Sequence, residues 1–227
     1  AARALVDILA ELDRLSDPSR AAVGLYLRVA LHRIIRVSEE SGGALTAFLD
    51  PISSAGAQKL LEGVSRGNTG TKGVIEQRLS DCVALHEAGE LVQWHRRGFG
   101  DSVFTTNTAS RKLGDAELKH VTNTHIVAVE AHGGRLTEKY VQDHLFTMAK
   151  VIPHRAEELE DRAPLADWRV QLQFHAHARD PGMTTAAEIE GVKVEITCRT
   201  YEELAAIGGS DDLAEIMTKH FAEPLNK

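Results

Sequence analysis

The chain has only two cysteines, Cys82 and Cys198, and neither has a second metal-ligand residue at zinc-finger spacing. A disulfide framework and a zinc knuckle are therefore excluded, and both thiols are expected to be small core residues. Long apolar runs are missing as well. No segment approaches the roughly 20 residues of a membrane span, and no charged-then-apolar leader precedes the first helical pattern, so no membrane partner is expected and a cytoplasmic protein is. Excess positive charge is absent, since the net charge is -7, which argues against a protein that coats nucleic acid nonspecifically. Internal repeats and low-complexity tracts are lacking too.

The remaining composition is that of an ordinary globular chain, 43% hydrophobic and 26% charged in 227 residues. That length suits one domain with an appendage. Residues 155–227 hold 15 acidic against 8 basic side chains, which accounts for the whole net charge and leaves the first two thirds neutral. Within the neutral part, residues 92–112 carry Arg96, Arg97, Arg111 and Lys112 against Asp101 alone. A local basic surface suited to phosphate contacts is expected there.

Residues 1–65 read as a helical region, with Leu5, Ile8, Leu9, Leu12 and Leu15 at helical spacing and a break at Ser41-Gly42-Gly43. Residues 66–227 read as an α/β domain, a mixed central sheet flanked by helices. A helix is expected from Thr71 to about Ala88, ended by Gly89, then a hairpin pairing Leu91–His95 with Ser102–Thr106 around Arg97-Gly98-Phe99-Gly100. The run from Thr124 to Ala131 reads as a buried strand, Gly133-Gly134 as its turn, and Thr137 to about Val151 as a helix. Arg169–Ala178 alternates strictly, a second strand follows at Val192–Cys198, and Ser210 opens a closing helix. A helix between the strands at 124–131 and 169–177 implies a parallel crossover.

The strand at Thr124-His-Ile-Val-Ala-Val-Glu130-Ala-His132 carries the chemistry. Glu130 and His132 are two residues apart and share one face, while Val127, Val129 and Ala131 take the other. A carboxylate in an apolar strand needs a partner, because burying an unpaired charge is costly. A hard divalent cation is one such partner: Asp115 and Glu130 supply carboxylate oxygens and the carbonyl of Ala131 a third donor.

Together these residues resemble the PD-(D/E)xK nuclease superfamily, which includes restriction endonucleases. In that pattern a helix bearing a Glu precedes an Asp, and a strand bearing Glu-x-Lys precedes a further helix and strands. Glu76 matches the helix acid, Asp115 the Asp, and Val-Ala-Val-Glu130-Ala-His132 the strand motif, over roughly residues 70–180. His132 stands where the family usually has Lys, and Lys139 on the next helix is a candidate for that lysine's role. The resemblance implies a restriction-endonuclease-like fold and a magnesium-dependent DNA endonuclease, with Mn2+ as an alternative ion. It also implies a homodimer, because palindromic sites are cut by symmetric pairs. Asp115, Glu130, His132, Glu76 and Lys139 are then the catalytic candidates, and Arg96, Arg97, Arg111 and Lys112 the DNA contacts. A noncatalytic nucleic-acid-binding or assembly protein on the same fold is the alternative.

His175-Ala-His177 leaves another reading open, a transition-metal hydrolase in which two imidazoles on one strand face join His132 or His125 around Zn2+. Two apparent motifs fail. His86-Glu87-Ala-Gly-Glu90 has Glu where a helical zinc protease needs its second His, and Gly67-Asn-Thr-Gly70-Thr-Lys72-Gly73 lacks phosphate-loop spacing.

Overall fold

The computed structural model describes residues 10–11, 14–26, 51–67, 69–71, 73–101 and 107–223. The chain divides into two compact units, residues 1–44 and 45–227. In the first, a helix (α1) runs over 17–26; the break expected at Ser41-Gly42-Gly43 lies outside the described residues. The second unit is an α/β fold in which six strands form one mixed sheet, β1 Trp94–Arg97, β2 Ala116–His120, β3 His125–Leu136, β4 Arg169–Arg179, β5 Ala186–Ile189 and β6 Val192–Thr200. Their order across the sheet is β1-β2-β3-β4-β6-β5. β3, β4 and β6 are parallel, and β1, β2 and β5 are antiparallel to their neighbours.

Helices cover both faces. On one, α5 (Glu138–Val151) lays Val141, Leu145 and Met148 over Ile126, Ala128, Val170, Leu172 and Phe174. Thr137 caps α5 by accepting the Tyr140 N–H, which stops the strand and starts the helix within two residues. On the other face, α3 (Val74–Ala88) is buried at every position from Glu76 to Leu85. Ala84 and Leu85 meet Leu118, Val127 and Val129 of the sheet. The far side of α3, with Leu79, Cys82 and Val83, packs on α2 (Ser54–Ser65), α7 (Tyr201–Ala205) and α8 (Asp211–Met217). α2, expected with the N-terminal region, therefore belongs to the α/β unit.

The hairpin differs from the expected one. Trp94–Arg97 pairs with Glu117–His120, a strand that lacks a strong apolar alternation, and residues 102–106 lie outside the described residues. A one-turn helix, α4, spans Asn107–Ser110. Gly133-Gly134 does not end β3 either. The strand continues to Leu136 through a bulge between His132 and Arg135, because two glycines absorb the register shift without side chains to misplace. Asn68 and Lys72 are outside the described residues; α3 begins at Val74 after Gly73, whose φ of 90° only glycine adopts freely.

Candidate active site

Asp115 directly precedes β2, and the antiparallel register Ala116↔Val129 sets it opposite Glu130 on the same sheet face. Its Oδ2 accepts the Ala131 N–H at 3.0 Å, so the contact made at Ala131 is its amide and not the expected carbonyl. Close packing enforces the approach. Gly114 lies so near β3 that a Cβ there would stand 2.6 Å from the Val129 carbonyl, and a Cβ on Gly98 would stand 2.3 Å from the Asp115 carbonyl. Only glycine fits at either place.

Glu130 is 7% exposed and held at both oxygens. The Tyr140 hydroxyl donates to Oε1 at 2.9 Å, and the Asn107 amide donates to Oε2 at 3.1 Å. His144 Nδ1 stands 3.7 Å from Oε1, while its Nε2 bonds the Leu113 carbonyl at 2.8 Å, tying Glu130 to the segment that leads into Asp115. Burial first, and then the charge of Glu130, push the Asp115 carboxyl up to about 8. Asp81, on the facing turn of α3, is pushed up to about 7 by burial against the opposing pull of Arg78. Burial and the Glu130 charge also drive the Tyr140 phenol above its usual range, so it stays a donor. Asp115 therefore keeps its proton near neutral pH, and a cation beside it would favour the ionised form.

The other expected residues distribute unevenly. His132 shares the Glu130 face, half-buried, with its ring 4.4 Å from that of Tyr140; burial lowers its pKa, leaving a neutral imidazole near neutral pH. Glu76 is fully buried, but its carboxylate is occupied by the Thr69 N–H and hydroxyl, the Thr71 hydroxyl at 3.3 Å and His177 Nε2 at 3.4 Å. No hydrogen bond among the described residues joins Glu76 to Asp115 or Glu130. Lys139 points to solvent and pairs with Asp143, one helical turn on, so it is not at the site. The step of about 100° to the next residue brings Tyr140 there instead.

Of the expected DNA contacts, Arg96 and Arg111 are exposed. Arg97 reaches Glu158 at 3.2 Å and stands 3.8 Å from Glu117. Lys112 departs from the expectation, being 2% exposed and turned inward.

His175 and His177 do not assemble with the other imidazoles. Alternation turns both toward α3, whereas His132 faces α5, and His125 lies at the start of β3 beside Trp94. His175 is wholly buried without a partner for either nitrogen, and burial lowers its pKa to about 3. Among the described residues no three His, Cys, Asp or Glu side chains stand where one ion joins them. Asp115 and Glu130 remain a two-carboxylate donor set, which fits magnesium, an ion that takes one or two carboxylates and fills its remaining positions with water and substrate phosphate.

Sequence reasoning missed Tyr140, His144 and Asn107. Two of these left a trace, since Tyr140 and His144 are spaced i,i+4 and interrupt the apolar stripe of α5 with polar groups. Asn107 left none. The chain matches no protein-family model, no curated protein and no solved structure.

Proposed function

We propose that this protein is a magnesium-dependent DNA endonuclease of the restriction-enzyme kind, with manganese as an alternative ion. The observation that carries the reading is the juxtaposition of Asp115 and Glu130, 15 residues apart in sequence and side by side across β2 and β3. It is supported by the order of elements around the pair: a helix with a buried Glu, three antiparallel strands, a helix, and a parallel strand. The buried Glu on a helix ahead of the Asp, and the helix and strand that follow Glu130, are what the resemblance to the PD-(D/E)xK superfamily implies.

Asp115 and Glu130 would hold the ion. When bound, magnesium supplies a Lewis acid for the scissile phosphate and lowers the pKa of water. Tyr140 and Asn107 fix the two Glu130 oxygens, so the carboxylate keeps one orientation through the reaction. His132, neutral and beside Glu130, takes the proton of the attacking water in place of the usual lysine. Arg96 and Arg111 contact the DNA backbone. A homodimer cuts both strands, and such an enzyme acts in the cytoplasm, where no membrane segment is required; no helix among the described residues is long and apolar enough to cross a membrane.

The test is cleavage of duplex DNA by the full chain with magnesium. Glu130→Gln keeps the shape and is expected to lower the rate by roughly two to three orders of magnitude, the several kcal/mol attributable to the ion it holds, while the chain stays folded by circular dichroism. Undiminished cleavage by that variant contradicts the assignment. One observation favours the noncatalytic alternative: neither Lys112 nor Lys139 presents an amine to the pair. That reading predicts DNA binding with no magnesium-dependent cleavage by the wild-type chain.

A further inference from the structure

Lys112 sits in a basic run next to Arg111, the setting in which a surface phosphate contact is expected. Its side chain is instead 1% exposed. Nζ donates to the Asp115 carbonyl at 2.8 Å and to Asp101 Oδ2 at 3.0 Å, and its aliphatic stem runs beside Gly98. Asp101 is itself fixed: its N–H bonds the Gly98 carbonyl, and its carbonyl accepts from Arg78 at 2.6 Å, while Arg78 pairs with Asp81 on α3. The Lys112 N–H bonds the carbonyl of Asn107, whose side chain holds Glu130. One lysine therefore joins the loop at 98–101, α3 and α4 to the peptide of Asp115.

We propose that Lys112 is a positioning residue for Asp115: its buried ammonium pins the Asp115 carbonyl, so that the carboxylate lies on the Ala131 amide and opposite Glu130. The ammonium there also sets a positive charge against Asp115 and Asp81. Lys112 touches neither the expected ion nor DNA. Its effect passes through the geometry of Asp115, as outer partners of metal ligands act in general. The proposal rests on the nuclease reading only for its catalytic consequence; the pinning of Asp115 stands apart from it.

The full chain carrying Lys112→Met, which keeps the stem and removes the charge and donors, is compared with Lys112→Arg, which restores both, and with wild type. Amide hydrogen exchange at Ala131 reports the Asp115 contact directly. It is expected to accelerate by about tenfold or more in Lys112→Met relative to the neighbouring Ala128 amide, and to return toward wild type in Lys112→Arg. Mn2+ binding, read by water proton relaxation, is expected to weaken about 10- to 100-fold in Lys112→Met, the range seen when outer partners of ligands are removed. The salt dependence of DNA binding stays unchanged, because no phosphate contact is lost.

Unaltered Ala131 exchange in Lys112→Met overturns the proposal. So does a salt dependence that falls by about one unit with Mn2+ binding intact, the signature of a phosphate contact. Should Lys112→Met fail to fold, Lys112→Gln retains a donor to the carbonyl and is read by the same exchange measurement. Absence of Mn2+ binding in the wild-type chain, with Ala131 exchange still responding to Lys112, contradicts the nuclease reading and leaves the positioning role standing.

Discussion

Asp115 and Glu130 are expensive residues to bury together, and the charge of Asp81 on α3 adds to the cost at Asp115. Tyr140, Asn107 and the Ala131 amide satisfy individual oxygens without cancelling the charge. His175 shows the same economy failing on the other face, a fully buried imidazole with neither nitrogen partnered. Its pKa in the folded chain, about 3, lies below the ordinary 6.5, so the unfolded chain binds the proton more readily. Stability from this group is thus complete above pH 6.5 and is lost as pH falls toward 3. His175→Leu removes the unpaired polar atoms and is expected to leave stability at pH 7 within about 1 kcal/mol of wild type, since an apolar replacement of similar shape is nearly neutral. Urea midpoints measured from pH 7 to pH 3 should then decline less steeply for the variant; an identical decline sinks the assignment.

At the scale of elements, a charged cluster does what apolar packing does elsewhere. Arg155 and Glu117 are each about 1% exposed and pair at 2.8 Å, joining β2 to the short turn before α6 (Ala156–Glu160). Glu158 extends the cluster to Arg155, Lys119 and Arg97. Arg155→Met strands the Glu117 carboxylate in the interior and is expected to cost about 3–5 kcal/mol, measured by chemical denaturation. Burial opposes ionisation of Glu158, yet its bonds to Arg155 and Lys119 win and hold it down to about 2. The stabilisation from Glu158 is therefore full above pH 4.5 and fades as pH falls toward 2. Glu158→Gln should remove that part of the acid limb, a loss readable in thermal midpoints between pH 5 and pH 2.5.

Elements were legible in the sequence where one signal dominated. The alternation of Arg169–Ala178, the helix start read at Thr137, the Ser210 cap and the Gly89 stop all correspond to boundaries in the structure. β2 was not legible, because Glu117 and Lys119 are stabilised by partners distant in sequence, and β5 is only four residues long. The association of Asp115 with Glu130 was expected from the donor set of a hard cation and from the motif the sequence resembles, and not from any strand read at Ala116–His120. The inward turn of Lys112 was not expected, since a basic dipeptide gives no hint that one of its members meets a backbone carbonyl inside the fold.

At the scale of the molecule, the three hydrophobic clusters among the described residues lie between Ala57 and Phe221. Residues 45–227 alone are expected to unfold as one cooperative unit, a behaviour that calorimetry checks. The total charge is negative, so any DNA surface must be local. Arg96 and Arg111 are the exposed members of the basic run. Arg96→Ala combined with Arg111→Asn should lower the slope of log affinity against log salt by about two; asparagine suits position 111, where φ is +52°. An unchanged slope places the DNA elsewhere. The central claim is that Asp115 and Glu130 together receive a divalent ion, and its most direct test is anomalous diffraction from crystals soaked in Mn2+. The account predicts a manganese peak within bonding distance of a carboxylate oxygen from each residue. A peak bound by His175 and His177, or no peak between Asp115 and Glu130 at saturating Mn2+, contradicts it.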